Sequence, residues 1–207
     1  RKGSLSKIIS EIKNNIENKT LIFYTNGLLG SRKSQTYSNF NDFMYNLSYW
    51  SSWSNGFNIW KSEFDKIDKN LKLNKLFPHT SLFLTQHQAK LFCINDNLLF
   101  DVQRIPKRGG HNKFEAFTIE YPSLLDECCK KGHISTKCKK HILFGIMVQF
   151  LPSLLFNKYI IRIETFDDTG FRDNLKKYYP SYAYWLVLIS VLGVPFRLFC
   201  RKLKNKR

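Results

Sequence analysis

From Tyr182 to Phe196 the chain runs 15 residues without a charged side chain, and this stretch constrains the fold more than any other. Tyr182, Tyr184 and Trp185 stand at its entrance. Arg197, Arg201, Lys202, Lys204, Lys206 and Arg207 follow it with no acid among them. Aromatic rings at one rim and clustered positive charge at the other mark a membrane-crossing helix. A crossing needs about 20 residues at 1.5 Å each, or as few as about 17. The run reaches that length, Tyr182 to Cys200, when Arg197 extends its guanidinium to the headgroups. We therefore expect a transmembrane helix over 179–201 and a basic tail over 202–207. Its anchoring residues are Tyr184, Trp185, Pro195, Arg197, Arg201 and Lys202. The alternative is a buried terminal helix of a soluble domain, kinked at Gly193 and Pro195.

The remaining 1–178 is long enough for one soluble domain with its own core. A net charge of +17 and a pI near 9.7 point to an anionic partner, either lipid headgroups or nucleic acid. The basic residues are spread along the chain, and Lys and Asn are abundant together with Phe, Ile and Tyr. AT-biased coding produces that mix without selection for charge. Five cysteines at irregular spacing (Cys93, Cys128, Cys129, Cys138, Cys200) argue against a disulfide framework and for a reducing compartment.

Taken in order, Ser4–Asn18 places Leu5, Ile8, Ile9, Ile12 and Ile16 on one helical stripe, a core face in the plainest reading and a membrane-surface face in the other. TLIFY (20–24) reads as a strand ending in an Asn26-Gly27 turn. The segment 30–39 reads as loop. The aromatic stretch Phe40–Trp60 carries almost no Lys or Arg, so it lacks the electrostatic half of a nucleic-acid surface and reads as packing. The segment 64–76 reads as a helix broken by Pro78. Four β-rich runs follow, SLFLTQ, KLFCI, LLFDVQRI and KFEAFTIEY, with short separators that predict an antiparallel meander. A helix opens at Tyr121-Pro122. Ile142–Phe156 is a second apolar run, interrupted by Gln149, Pro152 and Ser153, and reads as a buried or in-plane helix. KYIIRIET (158–165) predicts a last strand, and Asp168-Thr169 a cap for a short helix to Tyr178. The expected class is α+β: an antiparallel sheet with flanking helices and one C-terminal transmembrane helix.

Few residues suggest chemistry. Cys129, His133, Cys138 and His141, with Cys128 adjacent, offer a Cys-x3-His-x4-Cys-x2-His spacing that lacks the paired knuckle of a firm zinc site. Glu164, Asp167, Asp168 and Asp173 lack the alternation of a calcium loop. Gly109-Gly110, between Arg108 and His111, reads as a hairpin turn, and no phosphate-binding fingerprint occurs. No catalytic residue and no cofactor follow from the sequence.

Near the C-terminus, Tyr179-Pro180-Ser181-Tyr182, Trp185 and Val194-Pro195-Phe196-Arg197 carry a resemblance to the transmembrane protein 151 family, which has Trp-Pro-Leu-Arg at the last of these places. The resemblance implies a soluble α+β region running into a membrane helix. The order of strand, short helix, apolar helix and basic tail is also similar to the membrane-embedded domain of mitochondrial RING-type ubiquitin ligases. No RING cysteines follow here, so ligase activity is not implied. The expectation is a non-enzymatic, membrane-localised interaction or scaffolding protein. Its partners would be the lipid bilayer, anionic headgroups and other membrane proteins. A soluble, basic RNA-binding or ribosome-associated subunit is the competing class.

Overall fold

The computed structural model describes residues 3–53, 56–101 and 112–205, with side chains described as far as residue 200. The chain divides into two compact units, Arg1–Arg104 with Glu127–Lys139, and Ile105–Asp126 with Lys140–Arg207. The class is α+β, with one small sheet and many helices.

In the first unit, TLIFY supplies strand β1 (Leu21–Tyr24) and KLFCI supplies β3 (Phe92–Asn95), both buried along their whole length. Strand β2 (Ser34–Tyr37) is polar and largely exposed. The sheet order is β1-β3-β2, with β1 parallel to β3 and β2 antiparallel to it. The sheet is therefore mixed, which corrects the expected antiparallel meander. It also places a strand inside the segment read as loop.

SLFLTQ folds instead into helix α4 (Pro78–Leu84) and a following 3-10 turn. Pro78 sits in the first turn, where its missing N–H costs nothing, and Thr80, Phe83 and Leu84 bury one helical face. Leu98–Asp101 carry no regular structure, and the rest of that run, with the Gly109-Gly110 turn, lies outside the described residues. The helix expected over 64–76 does not form: the only helix there is α3 (Lys61–Phe64), and 65–76 is turns and irregular chain. Pro78 opens the next helix instead of breaking this one. Helix α1 (Ser4–Asn14) forms as expected, but Ile8 packs on Ile22, Tyr24, Cys93 and Leu99 while Leu5, Ile9 and Ile16 stay exposed.

The core of this unit is aromatic. Phe40 and Phe43, from helix α2 (Phe40–Leu47), meet Phe83 and Phe92 at centroid distances of 5.2–6.0 Å. The Phe40–Trp60 stretch thus opens into the core rather than onto a base-stacking surface. At Gly56 a Cβ would lie 2.8 Å from Phe23 and 2.9 Å from the Tyr24 carbonyl, so only glycine lets the 56–58 segment approach β1, where Phe57 bridges Phe23.

The second unit is a helical layer. KFEAFTIEY is helical: α5 (Lys113–Glu115), capped by the Asn112 carboxamide, runs into a π-turn (Ala116–Glu120) and on into α6 (Tyr121–Lys130). Its alternation misled because Phe114 and Thr118 belong both to a period of two and to the helical series Phe114, Thr118, Tyr121, Leu125. That series is buried.

Helix α7 (Thr136–Gly145), a π-turn (Ile146–Phe150), α8 (Leu151–Leu155) and a second π-turn (Phe156–Ile160) join into one helix of 25 residues, Thr136–Ile160. KYIIRIET, read as a strand, ends this helix and then runs on as 162–168 without regular structure. No neighbouring strand offers a ladder to it among the described residues. Helix α9 (Phe171–Tyr178) starts at Gly170, which takes the left-handed conformation at φ 72°. Helices α10 (Ala183–Val191) and α11 (Val194–Asn205) complete the chain.

Candidate functional site

The apolar C-terminal run is two helices, not one straight rod. Helices α10 and α11 are bent by 53° at Leu192-Gly193, where Leu192 and Gly193 close 3-10 bonds back to Ile189 and Ser190. Ala183, Val187 and Val194 are buried, and α10 packs on the long helix over Ile146–Leu155. The opposite side is bare. Tyr182, Trp185, Ile189 and Leu192 are 58–82 % exposed, and Phe196 and Phe199 continue the 3,4 spacing at 70 % and 60 %. Soluble monomers rarely leave so many large apolar side chains uncovered in one short segment.

The expected anchoring residues divide in role. Trp185 and Pro195 are exposed on this apolar side. Tyr184 is half-buried, 6.1 Å from Phe171, with the Arg172 guanidinium 5.3 Å over its ring. Arg197 does not extend outward. Its guanidinium folds back to donate to the carbonyl of Val148 and, at 3.4 Å, to that of Ser190. In a regular helix Val148 would accept from residue 152, but Pro152 has no N–H to give. Ser190 belongs to the last turn of α10, where a cation is favoured, and its carbonyl also accepts from Gly193 N at 3.2 Å. Arg197 thus ties the start of α11 to the long helix and to the end of α10. Arg201 and Lys202 fall in the next turns of α11, and their side chains lie outside the described part.

Among the described residues one helix, Thr136–Ile160, is long and apolar enough to cross a membrane, and half of its most apolar stretch is buried within the protein. The bent pair meets the same test only when its two halves are taken together. A core helix of a soluble protein has the same properties. The second apolar run, read as too interrupted to span, is therefore the longer continuous helix. The π-turns flanking α8 keep the helix continuous on either side of Pro152.

The zinc candidates go to different surroundings. His133 stacks on His87 with centroids 3.5 Å apart and planes 12° from parallel. Burial, then the neighbouring His87 and Lys131, hold the His133 pKa below its usual value. Cys129 lies 3.7 Å from the Thr136 hydroxyl, and the buried Cys138 sulfur 3.6 Å from the Asn41 carbonyl. His141 is half-buried on α7. Among the described residues no three His, Cys, Asp or Glu side chains gather as a metal site would require. Burial pushes the Cys93 and Cys128 thiols up to about 11, so they are not poised as nucleophiles.

The acidic group near 164–173 is engaged locally. Asp168 accepts from Lys158 at 2.6 Å and from the Tyr159 hydroxyl, Asp167 accepts from Thr169, and Asp173 pairs with Lys176 at 2.7 Å.

Sequence reasoning missed Asp96. This fully buried carboxylate follows β3 and gathers the β1–β2 loop around itself. Thr25 Oγ1 donates at 2.5 Å, Ser31 N at 2.8 Å, Arg32 N at 3.0 Å, Leu29 N at 3.1 Å and Ser31 Oγ at 3.1 Å. The glycines at 27 and 30 supply the positive φ values that turn these amides inward. An adjoining cleft of about 610 Å³ is lined by Lys7, Glu11, Asn95 and Asn97 among others. There both Glu11 carboxylate oxygens accept from the Asn95 amide, at 2.8 and 2.7 Å. No family model, curated protein or solved structure matches this chain.

Proposed function

We propose that this is a membrane-anchored, non-enzymatic protein that holds an α+β unit at a bilayer surface for contacts with other proteins. The observation that carries this reading is the bare apolar side of α10 and α11, from Tyr182 to Phe199, running into a tail of cations. Burial of apolar surface and attraction to acidic headgroups act together in such a segment. The long helix Thr136–Ile160 supports the reading through its length and apolarity. The local resemblance to the transmembrane protein 151 family points the same way.

The test is extraction of membranes from cells that make the protein. It is expected to stay in the pellet through alkaline carbonate and to leave only with detergent. Release by carbonate alone overturns the reading. The net charge of +17 favours a second one, a soluble RNA-binding subunit. A tight, sequence-specific RNA complex at physiological salt would establish it, whereas the membrane reading expects only weak, salt-sensitive and sequence-indifferent RNA binding.

A further inference from the structure

We propose that the second unit enters an anionic leaflet from one side and does not cross the bilayer. This rests on the membrane reading above and specifies how that surface meets lipid.

The first support is length. The nine residues of α10 rise about 14 Å, and α11 leaves that axis by 53°, so its apolar first half adds only about 5 Å. The hydrocarbon layer is about 30 Å thick.

The second is Arg197. Its guanidinium is fixed to the Val148 carbonyl, and Val148 lies near the middle of the uncharged run from Ile142 to Asn157. Were that helix to cross upright, Arg197 would sit at mid-depth, where a charge is most costly, with Arg201, Lys202 and Lys204 following within two turns. With the helices lying in the headgroup plane, the same bond places no charge in hydrocarbon.

The third is the distribution of exposed side chains. Within 142–157, Phe144 is the single large apolar residue exposed, so the long helix is mostly interior. The bare residues are on the outer pair instead: Trp185, Ile189, Leu192, Phe196 and Phe199. A crossing by the long helix would show the reverse. An acidic leaflet is the fitting occupant, because 197–207 carries six cations and no anion.

The experiment uses the full chain with Cys129→Ser and Cys200→Ser, and one new cysteine at a time. The positions are Ser6→Cys before the long helix, Lys177→Cys between it and α10, and a cysteine appended after Arg207. Each variant is added to preformed, sealed vesicles of phosphatidylcholine with or without phosphatidylserine, floated, and treated with a membrane-impermeant maleimide. The expected result is flotation that phosphatidylserine strengthens and that survives an alkaline carbonate wash, with equal labelling of all three sites before and after detergent. Any crossing, single or double, shields at least one site until detergent is added, and that outcome overturns the proposal. Failure to float on either vesicle, together with release of the cell-made protein by carbonate, would instead count against the membrane reading itself.

Discussion

Arg197 donates its guanidinium hydrogen bond to the carbonyl of Val148, four residues before Pro152, which has no N–H to offer it. Neither residue stands out alone: one reads as a flanking charge, the other as a featureless apolar position. Their pairing converts a proline defect in one helix into the point where another helix is held.

This pairing predicts coupling between the two substitutions that touch it. Arg197→Met is expected to cost about 1.5–3 kcal/mol, the range for a hydrogen bond made by a charged group. In a Pro152→Ala background, where residue 152 regains its N–H, the same change is expected to cost clearly less. A double-mutant cycle by denaturant unfolding in detergent measures the difference. Equal costs in both backgrounds would show that Arg197 is not answering the gap at Val148.

At Asp96, burial alone would raise the carboxyl pKa. The hydrogen bonds from Thr25, Arg32, Leu29 and Ser31 outweigh it and hold the group below the usual carboxylate value. A depressed folded pKa contributes stability that is fully present above the unfolded value of about 3.9 and is lost as pH falls through the folded one. Asp96→Asn is expected to destabilise the first unit by about 2–3 kcal/mol at neutral pH. The difference from the parent protein should narrow in acid. A pH-independent difference, read by thermal melts, would mean that the charge is not what orders the loop.

Gly56→Ala tests the close approach to β1. The added methyl meets the Phe23 ring and the Tyr24 carbonyl, and a backbone atom cannot swing aside. A loss of about 1–3 kcal/mol is expected, as for other overpacked cores. An unchanged melting curve would place the 56–58 segment further from β1 than described.

The stacked His87–His133 pair predicts a local pH response. A histidine whose folded pKa is lowered contributes stability above about pH 6.5, lost as pH falls through its folded value. Besides His87, Lys131 bears on His133 and adds to the repulsion once that ring is protonated. Protection of the amides from Glu127 to Lys139, corrected for the intrinsic exchange rate at each pH, is expected to fall as pH drops below about 6.5. His87→Phe should keep the stack and flatten that response. Unaltered protection across this range in the parent protein would refute it.

The elements read correctly from sequence are those whose burial pattern fits one period only. TLIFY and KLFCI are short, β-branched or aromatic and buried on both faces, and they form the parallel pair. Two helices were placed correctly but not their starts. The one at Tyr121 continues a helix capped by Asn112, so Pro122 does not open it. The one ending at Tyr178 starts at a left-handed Gly170 rather than under an Asp168-Thr169 side-chain cap. The failures are segments compatible with two periods. KFEAFTIEY alternates well enough for a strand, yet the residues that reach the core are the helical subset. Strand β2 was invisible because Ser34–Tyr37 is an exposed edge held by backbone pairing to β3, and polar composition says nothing about that. At the C-terminus the composition of the anchor was legible and its shape was not. The 53° bend and the reach of Arg197 depend on a carbonyl 49 residues away. Asp96 was overlooked for a similar reason: its donors come from residues 25–32, and nothing in a lone acid after a strand announces them.

The two units are interleaved along the chain, and this shapes how the molecule is made. Thr25 and Asp96, which must meet to close the first loop, are 71 residues apart. Strand β1 therefore leaves the ribosome long before its partner strand exists. Even then the first unit is unfinished, because Cys128, Ile134 and Cys138 are buried in it and arrive only with Glu127–Lys139. By that point the ribosome has already made the opening helices of the second unit. Synthesis thus holds both units half-built at once, and no single peptide bond separates one finished folding unit from the other.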